Sequence, residues 1–188
     1  MAVKPALLVL LFLLFVFVAP PAQAAARISE IRIGFDGDRV LTSFVLRNAF
    51  DSRLAERMES GLPTSILYRF ELDRDRKRWW DQKLRDSTLE VVAMYDAVAR
   101  TYNVHFKLDD KLIESRTVRD RKTLEEAMTH IERLPVFSLA GLPHEWRLLV
   151  KAEAELGSRT ILSLIPVAIS TNWRESPKFH PPGVPGVP

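Results

Sequence analysis

The stretch Asp73 to Asp81, DRDRKRWWD, holds the densest set of chemically capable side chains in the chain: three carboxylates, three arginines, one lysine and two tryptophans. Paired carboxylates are the equipment of glycoside hydrolysis, in which one acid protonates the leaving group while the other acts as nucleophile or base. Here Asp73, Asp75 and Asp81 alternate with Arg74, Arg76, Lys77 and Arg78, so the expectation is a salt-bridged surface turn rather than a catalytic pair. Trp79 and Trp80 are neighbours, and neighbouring side chains of an extended chain point to opposite faces. Trp80 shares the parity of Leu84 and is assigned to the core, which leaves Trp79 at the surface beside Arg78 and Asp81. Tryptophan and arginine dominate binding hot spots because they combine large area with a polar handle. Arg74, Arg76, Arg78, Trp79 and Asp81 are therefore the expected interaction rim, with an indole packed under arginine stems as the purely structural alternative.

Little else in the chain suggests chemistry. His105, His130, His144 and His180 form no HExxH motif and no metal-like pair. Glu126 and His130 are four residues apart on an expected helix, but one imidazole and one carboxylate are too few ligands for a metal. His144 and Glu145 open an expected strand and point apart. There is no GxSxG elbow, and the seven glycines include no phosphate-cradling run. Zero cysteines exclude a thiol nucleophile, a thiolate metal site and a cysteine-linked lipid anchor, and they fit an exported protein stabilised by its core. No catalytic residue, cofactor or metal ligand is expected. With 27 basic and 24 acidic residues mixed along the chain, no basic field argues for nucleic acid.

Three segments follow from composition. Residues 1–24 read as a signal peptide: Lys4 is the positive start, Ala6 to Ala19 is unbroken and apolar, and Ala22-Gln23-Ala24 is a small-x-small cleavage site. Cleavage would leave a periplasmic or extracellular protein beginning at Ala25. The apolar run is short for a membrane span of about 20 residues, and membrane contact is expected only if the segment stays uncleaved. Residues 25–176 are expected to form one β-rich domain. Residues 177–188, PKFHPPGVPGVP, are expected to be a disordered, polyproline-like tail.

The expected rim must be positioned by strands. Thr64, Ile66, Tyr68, Phe70 and Leu72 alternate with polar residues, the mark of a half-buried antiparallel strand. Trp146, Leu148, Val150, Ala152, Ala154 and Leu156 do the same within Glu145 to Leu156, so Phe70 and Val150 face the core while Glu71 and Lys151 face solvent. Ile31, Ile33 and Phe35 precede Asp36-Gly37, a hairpin signal, and Val40, Thr42, Phe44 and Leu46 share the buried face of the return strand. Gln82 to Tyr95 changes parity near Asp86-Ser87, as one bulged strand or two separate strands. Tyr102, Val104, Phe106 and Leu108 alternate again, and Asp109-Asp110 turns the chain into Lys111 to Val118. Ile161 to Ile169 contains Pro166, which suits an edge strand or a covering loop.

Two short helices complete the pattern. The first has Asn48 as cap, Phe50, Leu54 and Met58 on one face, and Ser60-Gly61 as its end. The second has a Thr123 to Glu126 capping box, a stripe of Leu124, Ala127, Met128, Ile131 and Leu134, and Pro135 as its stop. The fold class is mainly β (α+β), an antiparallel β-sandwich or strongly curved sheet with two short helices.

Several of these stretches carry a family likeness: Gly61-Leu62-Pro63 before the strand Ile66 to Leu72, the turn into Trp79-Trp80-Asp81, the leucine-rich Leu124 to Leu134, the strand ending Ala152 to Leu156, and Ile165-Pro166. On these residues, spanning about Arg27 to Phe179, the chain resembles a bacterial exported-protein family, domain of unknown function 4390. The resemblance implies export, a mostly β domain and work beside membrane components of the envelope, and it brings no catalytic residues. The proline-rich end departs from the family pattern.

The expected function is a non-enzymatic binding or protein-interaction module of the cell envelope, with an envelope or membrane protein as partner. The alternative is a periplasmic carrier of a small apolar ligand, which would need a deep cavity lined by Tyr68, Phe70, Trp80 and Val150. An enzyme of unrecognised class is the third reading.

Overall fold

A computed structural model describes residues 25–50, 52–76, 80–161 and 165–182, which form strands joined by two short helices. In chain order the elements are β1 (Arg27–Ile28), β2 (Arg32–Asp36), β3 (Arg39–Arg47), α1 (Ser52–Glu59), β4 (Thr64–Arg74), β5 (Gln82–Asp96), β6 (Thr101–Leu108), β7 (Lys111–Val118), α2 (Arg121–Thr129), β8 (His130–Ser138), β9 (Leu148–Ile161), β10 (Ile165–Ser170) and β11 (Arg174–Glu175). The expected signal peptide, residues 1–24, and the last six residues of the expected tail lie outside the described residues.

The strands form two antiparallel sheets. In the smaller, β3 is central, with β1 and β2 along one edge and β8 along the other. The larger runs β10-β9-β4-β5-β6-β7, with β11 also on β9. The inner faces meet as a sandwich: Phe44 of β3 packs its ring 5.5 Å from Tyr68 and 6.0 Å from Phe70 of β4. The faces expected to be buried are buried, with Val40, Thr42, Phe44 and Leu46 from one sheet and Ile66, Tyr68, Phe70, Leu72, Val150, Ala152 and Ala154 from the other. Each helix is a crossover between the sheets, α1 from β3 to β4 and α2 from β7 to β8. Leu54, Met58, Leu124 and Met128 carry the apolar stripes of the helices into the core.

Several expectations shift by a residue or a turn. Asp36 pairs with Arg39, so the hairpin turns at Gly37-Asp38, one residue later than expected, and Gly37 has φ 59°. The Asp109-Asp110 turn stands as expected, with φ 47° and 64°. Asn48 is not the cap of α1, which starts at Ser52; it has φ 58°, and its amide lies 3.5 Å from the Ala25 carbonyl oxygen. Helix α2 is capped by Asp120, whose Oδ1 accepts the Thr123 amide at 2.9 Å, so Thr123 lies inside the first turn and the expected capping box does not form.

The larger correction is the end of α2. The helix stops at Thr129, and Ile131, Leu134 and Pro135 belong to β8, paired with β3. Two irregularities explain the misreading. Glu132 and Arg133 together oppose Ser43, and Val136 is extra between the pairs Val40↔Phe137 and Leu41↔Pro135. A bulge inserts one residue and turns the strand spacing i, i+2 into i, i+3, which imitates a helix. Arg133 takes φ 47° at the first bulge, and its amide donates to Ser43 Oγ at 2.9 Å.

Gln82 to Asp96 is one bulged strand, the first of the two readings left open. Leu72 opposes Arg85 and Asp73 opposes Lys83, which makes Leu84 the extra residue. Pro166 lies on β10, an edge strand of the larger sheet. The chain from Thr171 onward, including β11, then seals the rest of the β9 edge. Thr171 and Ser176 hydroxyls accept the amides of Ala154 and Val150 at 3.0 Å each, and Phe179 exchanges backbone hydrogen bonds of 2.8 and 2.9 Å with Leu148. The expected free tail is thus corrected at its near end. Phe179 also packs edge-on against Phe35 at 5.6 Å.

Candidate functional site

Three segments converge at one end of the sandwich: the turn that follows β4, the loop from Leu139 to Arg147 between β8 and β9, and the segment from Lys178 to Pro182. They are tied together by specific bonds. The Asp75 amide donates to the Arg147 carbonyl at 2.8 Å, and the Asp75 carboxylate holds Arg147 Nε at 2.7 Å and Lys178 Nζ at 2.9 Å. The hydrogen bond from Lys178, with the charges of Arg147 and Lys178, holds the Asp75 carboxyl below its ordinary range. Arg85 on β5 reaches the carbonyls of Ser138 and Ala140, and the Leu139 amide donates to the Asp38 carbonyl at 2.7 Å.

This scaffold encloses two hollows separated by the Leu139 to Arg147 loop. One, of about 280 Å³, is charged and aromatic, bounded by Arg74, Asp75, Glu145, Trp146, Arg147 and His180. In it the Arg74 guanidinium lies 4.0 Å from the centre of the Trp146 ring, a cation–π stack. The other, of about 760 Å³, is largely apolar, with Phe35, Leu139, Leu142, Pro143 and Pro181 among its walls and Asp38 and His144 as polar groups. A tryptophan stack beside an apolar hollow can bind; it offers no nucleophile paired with a base.

The expected rim is only partly assembled here. Arg74 belongs to the charged hollow, whereas Arg76 turns its Nε to the Trp80 carbonyl at 3.1 Å. Asp81 leaves the rim for the outer face of the larger sheet, 3.5 Å from Lys151. Arg78 and Trp79 lie outside the described residues. Trp80 is 88% exposed and is not core. Pairing of β5 begins at Gln82, so Trp80 stands in the connection, where strand parity assigns no face.

Among the described residues, the acidic side chains pair with cations from distant segments. Asp73 binds Lys151 at 2.8 Å and Asp75 binds Arg147 and Lys178, all from segments distant in sequence. Alternation places Asp73 beneath the outer face, where the neighbouring strand β9 supplies the counter-charge. Trp146 was read as core, and nothing in its immediate sequence marked it as the partner of Arg74. It lies half-buried ahead of β9 and joins the site through its distant contact with β4. Gly141 and Pro143 are turn-forming residues that could have marked this loop, but nothing in the sequence marks the hollow it lines.

The four residues expected to line one cavity do not come together, because Trp80 is exposed while the other three are buried. Tyr68, Phe70 and Val150 are packed in the core, and the Tyr68 hydroxyl donates to the Met128 carbonyl at 2.8 Å. Burial pushes that phenol's pKa far up, so it stays neutral. His105 Nδ1 meets Ser115 Oγ at 2.9 Å, and His130 sits on β8 rather than on a helix with Glu126. Among the described residues, no group of three or more histidine, cysteine or acidic side chains could hold a metal ion.

The fold is a two-sheet antiparallel β domain with two short helices. The family model described as "Domain of unknown function (DUF4390)" matches residues 23–177, and the chain belongs to that family. No curated protein matches the chain, and no solved structure does.

Proposed function

We propose that this chain is an exported cell-envelope protein whose domain is a non-enzymatic binding or protein-interaction module, and that it holds an envelope or membrane protein at the end built by the Leu139 to Arg147 loop. The observation that carries the reading is the apolar hollow beside the Arg74–Trp146 stack, held on a hydrogen-bonded scaffold. Aromatic and arginine side chains next to apolar area are the composition of interface centres. Export rests on the apolar leader and its Ala22-Gln23-Ala24 site.

A second reading keeps the small apolar ligand but moves it from the interior to this surface hollow, whose size falls within the roughly 300–1,000 Å³ usual for ligand pockets. Lipid extraction of the purified protein distinguishes the two. The main test places a photo-cross-linker at Leu142 in the native envelope, identifies the captured protein, and measures its binding to Trp146→Ala, Leu142→Asp and Trp79→Ala. At least one of the first two should lose about 2 kcal/mol or more of binding while retaining the parent's melting temperature. Parent-like binding by both would remove this end as the working surface.

A further inference from the structure

The opposite end of β3 has a different character. Arg27 of β1 stands directly across from Arg47 of β3, and Arg174 and Trp173 lie with Ala25, Ala26 and Ile28 around a shared hollow. All three arginines are exposed, and none of them forms an ion pair among the described residues. Like charges directly opposite each other in an antiparallel pair destabilise it, so Arg27↔Arg47 calls for an outside anion. Among the described residues, Glu175 points instead to Lys151 at 3.6 Å, and Glu30 makes no ion pair with these arginines. Trp173 is 42% exposed, which gives this cationic edge an apolar component.

Where the chain enters this face is fixed. The Asn48 amide is 3.5 Å from the Ala25 carbonyl oxygen, and the 24 residues before Ala25 contain a single charge, Lys4, and the unbroken apolar run Ala6 to Ala19. Such a run is drawn to a bilayer whether it is later removed or retained. We propose that the face formed by Ala25, Arg27, Arg47, Trp173 and Arg174 rests on a lipid surface bearing anionic headgroups. Arginine supplies attraction to the headgroups, and a half-exposed indole suits the boundary between headgroup and acyl chain. The nine residues of β3 then carry the Gly37 turn, and the apolar hollow beside it, roughly 27 Å from Arg47 at 3.4 Å per residue. The binding end would project away from the bilayer.

The test uses the exported protein with whatever N-terminus the cell leaves on it. Vesicles of phosphatidylcholine are compared with vesicles containing one third phosphatidylglycerol, with bromolipid as quencher of tryptophan fluorescence. The anionic vesicles should bind more tightly, each of Arg27→Gln, Arg47→Gln and Arg174→Gln should weaken that preference roughly fivefold, and Trp173→Leu should lose the quenching that Trp80→Leu keeps. Arg47→Gln should melt at or above the parent temperature, which separates lost lipid contact from lost folding. If the leader is retained and inserts in both vesicle types, quenching of Trp173 decides. Equal binding of a leaderless protein to both compositions, or unchanged quenching in Trp173→Leu, overturns the proposal; the former outcome favours a protein partner for this face.

Discussion

The ammonium of Lys151 lies 2.8 Å from Oδ2 of Asp73, a carboxylate whose side chain is only 5% exposed. Asp81 and Glu175 approach the same ammonium at 3.5 and 3.6 Å, so one lysine of β9 serves three acids from three segments. Oδ1 of Asp73 has no hydrogen-bond partner among the described residues, which leaves Lys151 as the main compensation for that buried charge. Alternation alone had placed Lys151 among solvated charges whose reversal hardly matters, and the Asp73 contact corrects that.

Lys151→Met and Lys151→Glu should each cost about 3–5 kcal/mol of stability, because removing one partner strands a buried charge. Lys83→Met, which loses an exposed pair with Glu71, should cost no more than about 1 kcal/mol. Burial pulls the Lys151 pKa down, but the Asp73 hydrogen bond and the charges of Asp73, Glu175 and Asp81 raise it overall. Its contribution is therefore fully present below the unfolded lysine value of about 10.4 and lost as pH rises through the folded value. Urea unfolding of the three variants, and of the parent in alkali, measures this; equal midpoints for Lys83→Met and Lys151→Met would refute it.

Acid should release the clamp on the last described segment. The folded Asp75 carboxyl titrates below its unfolded value of about 3.9, so its contribution is present above that value and disappears as pH falls through the folded one. Protection of the Phe179 amide from hydrogen exchange, corrected for the intrinsic rate, should fall over that acid window. Asp75→Asn should show the lower protection already at neutral pH. Protection that ignores both changes would mean that the Leu148–Phe179 bridge holds without the carboxylate.

Phe70→Asp and Val150→Asp should abolish folding, since an unpaired buried carboxylate costs several kcal/mol against a total stability of about 5–15 kcal/mol. Trp80→Ala should melt within a few degrees of the parent, in keeping with an indole that is almost wholly exposed. Thermal melts rank the three, and a large loss for Trp80→Ala would place it in a packed site.

Arg133 occupies the left-handed region at the first β8 bulge. Glycine accepts that conformation without the penalty of about 1–2 kcal/mol that a side chain incurs, so Arg133→Gly should raise the urea midpoint and Arg133→Val should lower it. Ser43→Ala should cost about 1 kcal/mol by removing the acceptor of the Arg133 amide. A lower midpoint for Arg133→Gly would show that the arginine side chain matters more than its backbone.

What was legible in the sequence was whatever repeats locally. Period two exposed the buried faces of β3, β4 and β9, and the parity change after Trp80 did mark a bulge, though at Leu84 rather than Asp86-Ser87. Where β8 is bulged twice, the same reading mistook Ile131 and Leu134 for a helix stripe. The site was less legible because its contacts are distant: Arg74 finds Trp146 across β5 to β8, and Asp75 finds Lys178 across β5 to β11. Neither pairing leaves a periodic trace. The proline count of the tail likewise concealed Phe179, a single apolar residue with a ring and a strand edge to meet.

The seal on β9 also sets a clock. Thr171, Ser176 and Phe179 close an edge of the sheet near the far end of the chain, and Ser43 of the central strand β3 waits 90 residues for Arg133. Contacts of such separation make folding slow, on the order of milliseconds to seconds. A chain emerging N-terminus first therefore has β3 made long before β8 can cover it, and β4 made before β9. Throughout that interval the paired edges of β3 and β4 lack their partners, and the edge of β9 closes only when Phe179 has been made.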